Sequence, residues 1–184
     1  ECRRVLFRSR GDLDAALSKY EESLEIARAL SEELGTPESR RDVSLSLDNV
    51  AGIEQARGDL DAALSKYEES LEIRRALSEE LGTPESRRDV SVSLDKVAGI
   101  EQSRGDLDAA LSKYEESLEI RRALSEELGT PGSRRDVSVS LNEVAEIEES
   151  QGDLDAALSK YEERSEEHTS ELQSPCNLVC RLLL

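Results

Sequence analysis

The sequence predicts an all-α fold, an α-solenoid built of antiparallel helix pairs, and three observations carry that expectation. The 184-residue chain is dominated by Ala, Leu, Glu, Ser and Arg and holds one Phe, no Trp and no Met, a vocabulary of long surface helices rather than of a sheet. The string GDLDAALSKYEE starts at Gly11, Gly58, Gly105 and Gly152, a fixed period of 47 residues. Each period contains two runs with apolar residues at helical spacing, separated by Gly-Asp and Gly-Thr-Pro punctuation, and a self-similar unit of this length is the mark of a repeat architecture.

The elements follow in order within one period. Thr83 is placed as an N-cap with Pro84 at the first helical position, where the missing N–H costs nothing. The helical run then passes through Arg87, Val90, Leu94, Val97, Ala98 and Ile100 to Arg104. Gly105 and Asp106 form a turn, with Asp106 expected to cap the next helix and Asp108 near its positive end. The second helix carries Leu107, Ala110, Leu111, Tyr114, Leu118 and Leu128 on one face, and Gly129 closes it before Thr130-Pro131 restarts the cycle. A helix of 21 residues, a two-residue turn, a helix of 22 and a second two-residue turn complete the period. Turns this short force consecutive helices antiparallel. A single pair cannot cover its own apolar face, so pairs must stack. Each layer is thin, and Ala, Leu, Val, Ile and one Tyr fill it without further aromatics.

These residues resemble the tetratricopeptide repeats. The match lies in GDLDAALSKYEESLEI, with its Gly-Asp turn, a small residue (Ala63, Ala110), an aromatic four on (Tyr67, Tyr114) and a small residue three later (Ser70, Ser117). The preceding helix supplies the family's large, large, small pattern as Leu47, Val50, Ala51 and again as Leu94, Val97, Ala98. The chain departs from the family in its longer period, in Leu where a first-helix aromatic is common, and in Glu54 and Glu101 where Tyr is common. The resemblance implies a right-handed superhelix of the extended-helix variety, covering residues 10–163 with repeats at 11–57, 58–104 and 105–151 and a partial one at 152–163.

Both ends stand apart. Arg164 to Ser174, RSEEHTSELQS, and Leu178 to Leu184, LVCRLLL, resemble in-frame translations of a short-read sequencing adapter, and Glu1 to Ser9, ECRRVLFRS, resembles its reverse complement. The expectation is that residues 1–9 and 164–184 are adapter-like artefacts flanking a piece of a longer protein. All three cysteines (Cys2, Cys176, Cys180), His168 and Phe7 lie in those ends, so residues 10–163 hold none of them and carry 38 acidic against 19 basic residues. Cysteine usage therefore says nothing of redox compartment.

No catalytic constellation emerges. Residues 10–163 lack the Cys and His of the usual nucleophile-base pairs, and no Gly-rich phosphate loop follows a strand. Asp59-Leu60-Asp61 lacks the alternating ligands, central glycine and terminal glutamate of a calcium loop. Paired glutamates such as Glu68-Glu69 and Glu79-Glu80 read as a solvated face with local pairs such as Arg75 and Glu79. The expectation is a protein that is not an enzyme and uses no cofactor and no metal. A net charge of −18 disfavours nucleic acid, because a duplex surface needs a positive track; Arg87-Arg88 and Arg134-Arg135 are read as offsets to neighbouring acids. LVCRLLL is too short to span a bilayer. Cytoplasmic residence follows as the family's default.

The informative feature is where the copies differ. From the second copy to the third the changes are Glu85 to Gly132, Asp95 to Asn142, Lys96 to Glu143, Gly99 to Glu146, Gln102 to Glu149 and Arg104 to Gln151. Positions 95, 99 and 102 share one face of the first helix. By the resemblance, that helix lines a concave groove for partner peptides. The expected partner face is Asp48, Gly52 and Gln55, then Asp95, Gly99 and Gln102, then Asn142, Glu146 and Glu149. Its acids and small side chains suit a protein or peptide bearing Lys or Arg. The function expected is a protein-protein interaction scaffold, with a sensor or spacer array of a larger signalling protein or enzyme as the alternative.

Overall fold

The computed structural model describes residues 2–173, with side chains from Asp12 to Arg164. Among them are seven helices and no strand: α1 (Cys2–Leu34), α2 (Pro37–Arg57), α3 (Leu60–Leu81), α4 (Pro84–Arg104), α5 (Leu107–Leu128), α6 (Pro131–Gln151) and α7 (Leu154–Gln173). The chain is all-α, a helical repeat of the solenoid kind. It divides into two compact units, Glu1–Gly105 with α1 to α4 and Asp106–Leu184 with α5 to α7. Neighbouring helices pack within each, α1 on α2, α2 on α3 and α3 on α4 in the first unit, α5 on α6 and α6 on α7 in the second.

The helix starts are set by Thr-Pro. Thr36, Thr83 and Thr130 each sit in extended backbone and accept a hydrogen bond at Oγ1 from the N–H three residues on, at 3.2 Å from Ser39 and 3.1 Å from Ser86 and Ser133. The stops are glycines in the left-handed region, Gly105 with φ 85° and Gly129 with φ 60° among them. A residue with Cβ is strained there, so these glycines fix the reversal. Asp59 and Asp106 stand at their helix starts, yet neither makes a side-chain capping bond. The Asp59 carboxylate turns to Arg57 Nε at 3.5 Å instead. The capping expected of Asp106 is therefore positional only, while Asp153 does cap, accepting from Ala156 N–H at 3.1 Å.

The expected apolar faces form the core. In the first unit Leu47, Val50, Leu94, Val97, Ala98 and Ile100 are 0–1% exposed, joined by Ala63, Leu71 and Leu77 of α3. In the second, Val137, Leu141, Val144, Ala145 and Ile147 of α6 pack with Ala110, Tyr114, Leu118 and Leu124 of α5. Each fully buried Leu or Ile contributes about 1.5–3 kcal/mol through water release. Leu128, assigned to the apolar face of its helix, is 46% exposed because it falls in the last turn before Gly129.

One element departs from the period. Gly11 and Asp12 lie inside α1, which runs unbroken from Cys2 to Leu34. Before Gly58, Gly105 and Gly152 a PESRRDV-type or PGSRRDV-type helix folds back on its successor, which demands the turn; residues 2–10 carry no such segment. The backbone of the adapter-like residues 2–9 and 164–173 is helical, while the side chains of Cys2, Phe7 and His168, and residues 174–184 with Cys176 and Cys180, lie outside the described residues.

Candidate protein-interaction face

The stripe named from sequence is carried by α2, α4 and α6. On α2, Gly52 is half-buried and Gln55 exposed, whereas Asp48 is buried at 8% exposure. On α4, Asp95, Gly99 and Gln102 are half-buried. On α6, Asn142 is half-buried and Glu146 and Glu149 are exposed. The structure thus separates the stripe into open positions and one interior acid.

Asp48 is inside because α3 sends an arginine to meet it. Arg74 is 5% exposed; its Nη2 donates to Asp48 Oδ2 at 2.5 Å, its Nη1 to Ser93 Oγ at 2.5 Å and its Nε to Ser44 Oγ at 3.3 Å. Lys96 Nζ of α4 reaches the same Asp48 Oδ2 at 2.7 Å and stands 5.7 Å from the centre of the Tyr67 ring. One carboxylate is thereby shared between two cations from two helices, and its Oδ1 is buried with no hydrogen-bond partner among the described residues. A buried ion survives only when paired in this way. In the second unit Arg121, 7% exposed, donates to Ser140 Oγ at 2.6 Å and lies 3.5 Å from Glu143 Oε2. Sequence reasoning missed Arg74 and Arg121. The signal was there, because Arg74 follows Tyr67 by seven and Ser70 by four, in the buried register of α3.

Other charges follow the sequence reading more loosely. The helix glutamates are paired across helices, Arg28 with Glu69 and Arg40 with Glu80, both at 2.5 Å, and Arg122 with Glu163. Arg41, the counterpart of Arg88, pairs with Asp89 at 2.8 Å, so the Arg40-Arg41 spot of the first copy meets acids. Glu54 and Glu148, standing where the family often has Tyr, have carboxyls raised above their ordinary value, first by burial and then by neighbouring acids, with Lys66 and Lys160 acting the other way. Tyr67 is pushed up by burial and by the Asp48 charge.

Two clefts lie in the first unit, of about 210 Å³ along Leu77, Leu81 and Asp89 and about 430 Å³ along Ile26, Leu30 and Leu45; no stripe residue lines either. Among the described residues no cluster of three metal-ligating groups occurs, and no helix is long and apolar enough to cross a membrane.

Residues 41–123 match a family profile described as tetratricopeptide repeat, and residues 4–34 match a second of the same description, together more than half of the chain. The chain belongs to the tetratricopeptide repeat family. Solved structures agree on the fold. BtubC (BKLC) from P. vanneervenii is 23% identical with a TM-score of 0.62, over 90% of this chain and 59% of that one. MamA is 16% identical with a TM-score of 0.51, over 90% and 94%, and the de novo designed helical repeat protein DHR64 is 25% identical with a TM-score of 0.54, over 92% and 88%. This tetratricopeptide array spans about three-fifths of the length of BtubC. No curated protein matches it in sequence. The family and fold together make the array a protein-interaction scaffold, an architecture that typically acts by binding rather than by catalysis.

Proposed function

We propose that the array binds a protein or peptide partner through its varied inner-helix positions, Gly52, Gln55, Gly99 and Gln102 within the first unit and Glu146 and Glu149 within the second, without enzymatic activity of its own and without binding nucleic acid. One observation carries the reading. From α4 to α6 the interior residues Val90, Leu94, Val97, Ala98 and Ile100 recur unchanged as Val137, Leu141, Val144, Ala145 and Ile147, while Asp95, Lys96, Gly99 and Gln102 all change. Packing is kept and one solvent-side stripe is varied, which is how a scaffold diversifies what it recognises.

The α6 part of that stripe ends in two exposed carboxylates, Glu146 and Glu149. It suits Lys or Arg side chains on the partner, with charge governing on-rate and selectivity. The test is fluorescence anisotropy with labelled Lys-rich and Glu-rich peptides of equal length against the full chain at low salt. Lys-rich peptides bind more tightly, and Glu146→Gln/Glu149→Gln weakens them by about 2- to 10-fold, the range for two exposed ion pairs. Equal binding of the two peptide sets, or no effect of the double variant, overturns the basic-partner reading.

A further inference from the structure

In the first unit, arginines at the start of α2 clamp acids carried by the next two helices. Arg40 meets Glu80 at the end of α3 at 2.5 Å, and Arg41 meets Asp89 and Glu85 of α4 at 2.8 and 3.3 Å. Behind that clamp α3 is covered: Tyr67 and Leu77 are 7% and 5% exposed, and Leu77 shares a cleft with Pro37 and Arg41. One period earlier the same acids recur as Glu33, Glu38 and Asp42, all exposed and without a partner among the described residues. The apolar side chains near them are open too, Tyr20 at 38% and Leu30 at 46%, and Leu30 lines the larger cleft with Leu34 and Asp42. The α1–α2 end is thus half of a layer interface, with its apolar seat and its acids in place and no arginine over them.

The chain carries the other half at α6. Arg135 stands two periods after Arg41, is exposed and has no partner among the described residues. The helix packed on α6 begins as a copy of α1, since residues 152–163 repeat residues 11–22 one for one. Beyond that point the sequences part: α1 continues with Leu24, Ala27 and Leu30, and α7 has Ser165, His168 and Glu171 at the same places. Among the described residues of α7 only Ala157 is buried, and Leu154 and Leu158 are exposed. The sequence of α1 therefore offers α6 more apolar surface than that of α7.

We propose that the α1–α2 end docks a second copy of this chain: α1 of one copy takes the place of α7 on α6 of another, burying Tyr20 and Leu30, and Arg135 pairs with Glu38 and Asp42 as Arg41 pairs with Glu85 and Asp89. Exchange of an identical element is a low-cost route to association, and repeat chains are prone to it. The two surfaces differ, so each copy added leaves one of each uncovered and assembly grows past the dimer. None of the varied inner-helix positions takes part, so the proposal stands or falls apart from the partner face above.

Sedimentation velocity of the full chain over about a hundredfold range of concentration tests it, at about 0.15 M sodium chloride so that the net charge of −18 is screened. The parent chain gains mass with concentration beyond that of a dimer. Arg135→Glu and, separately, Glu38→Arg/Asp42→Arg each weaken association at least about tenfold, because like charges then face one another. Both keep the parent Tm, since the replaced side chains are exposed and have no partner within their own chain. Mixing the two variants restores association, because each then meets the opposite charge. Leu158→Gly, which loosens α7 at an exposed position, tightens association by up to about fivefold, the equivalent of a glycine in a helix interior. A parent chain that stays monomeric, or variants that associate like the parent or do not rescue one another, overturn the proposal. Association that Leu158→Gly leaves unchanged or weaker overturns the displacement of α7.

Discussion

Arg74 and Asp48 show how a single residue redirects a surface into an interior. The stripe of α2 reads as open in sequence, and at Gly52 and Gln55 it is, but the guanidinium from α3 draws Asp48 inside and Lys96 closes over it. The corresponding residue of α1 is Ala27, also buried, so the fold does not need the ion. Buried pairs of this kind stabilise little against an apolar alternative and are best attested as devices that fix register. Burial acts in the opposite sense on unpaired acids. Glu54 and Glu148 have folded-state values above the 4.5 of an ordinary glutamate, chiefly because burial disfavours the charged form. For a raised group the stability contribution is fully present below the unfolded value and is lost as pH rises through the folded one. The double variant Glu54→Gln/Glu148→Gln is therefore expected to be more stable than the parent at pH 7–8, and the gap closes as pH falls toward 4. Thermal melts of both proteins across that range check it, and a gap that widens on acidification sinks the burial argument. The identity of these acids as misfits was readable in sequence, because they stand where the family often has Tyr; their burial was not, because it depends on which neighbours close over them.

Among the elements, the boundaries were the most legible part of the chain. Pro84–Arg104 and Leu107–Leu128 run as the punctuation dictates, since Thr-Pro and Gly-Asp act locally and need no tertiary contact. The α1 helix was not legible, because its turn at Gly11 depends on a partner helix folding back rather than on the Gly-Asp pair itself. The two kinds of helix start also differ in strength. Thr83 makes a side-chain bond to the first turn and Asp59 does not. Thr83→Ala should cost about 1 kcal/mol, the ordinary value of a lost N-cap, while Asp59→Ala should cost a few tenths through lost attraction to the helix N-terminus. Urea denaturation midpoints at constant slope give both numbers. Equal losses would mean that the aspartates cap in solution.

For the whole molecule, composition foretold a thin, aromatic-poor core correctly, because Leu, Val, Ile and Ala repeat in the same interior places and need no large ring to fill them. It also fixed the net charge of −18, whose consequence is a competition. Salt weakens the ion pairs between helices, and it equally weakens repulsion among the excess acids. The pairs are mostly half open to water, Arg28–Glu69 with side chains 47% and 40% exposed and Arg41–Glu85 with 44% and 74%, and pairs of that exposure contribute about 0–1 kcal/mol each. Arg74–Asp48, with side chains 6% and 7% exposed, is shielded from ions and scarcely responds. Repulsion is the larger of the two, since 42 acids face 24 bases and every acid repels all the others within a screening length. The array should therefore gain stability with salt, its Tm rising between about 10 mM and 0.5 M sodium chloride as the screening length shrinks from about 30 Å to well under 10 Å. Chloride and sulfate at matched ionic strength separate screening from the general stabilising effect of sulfate. A Tm that falls with chloride would show the interhelical pairs to be worth more than their exposure allows.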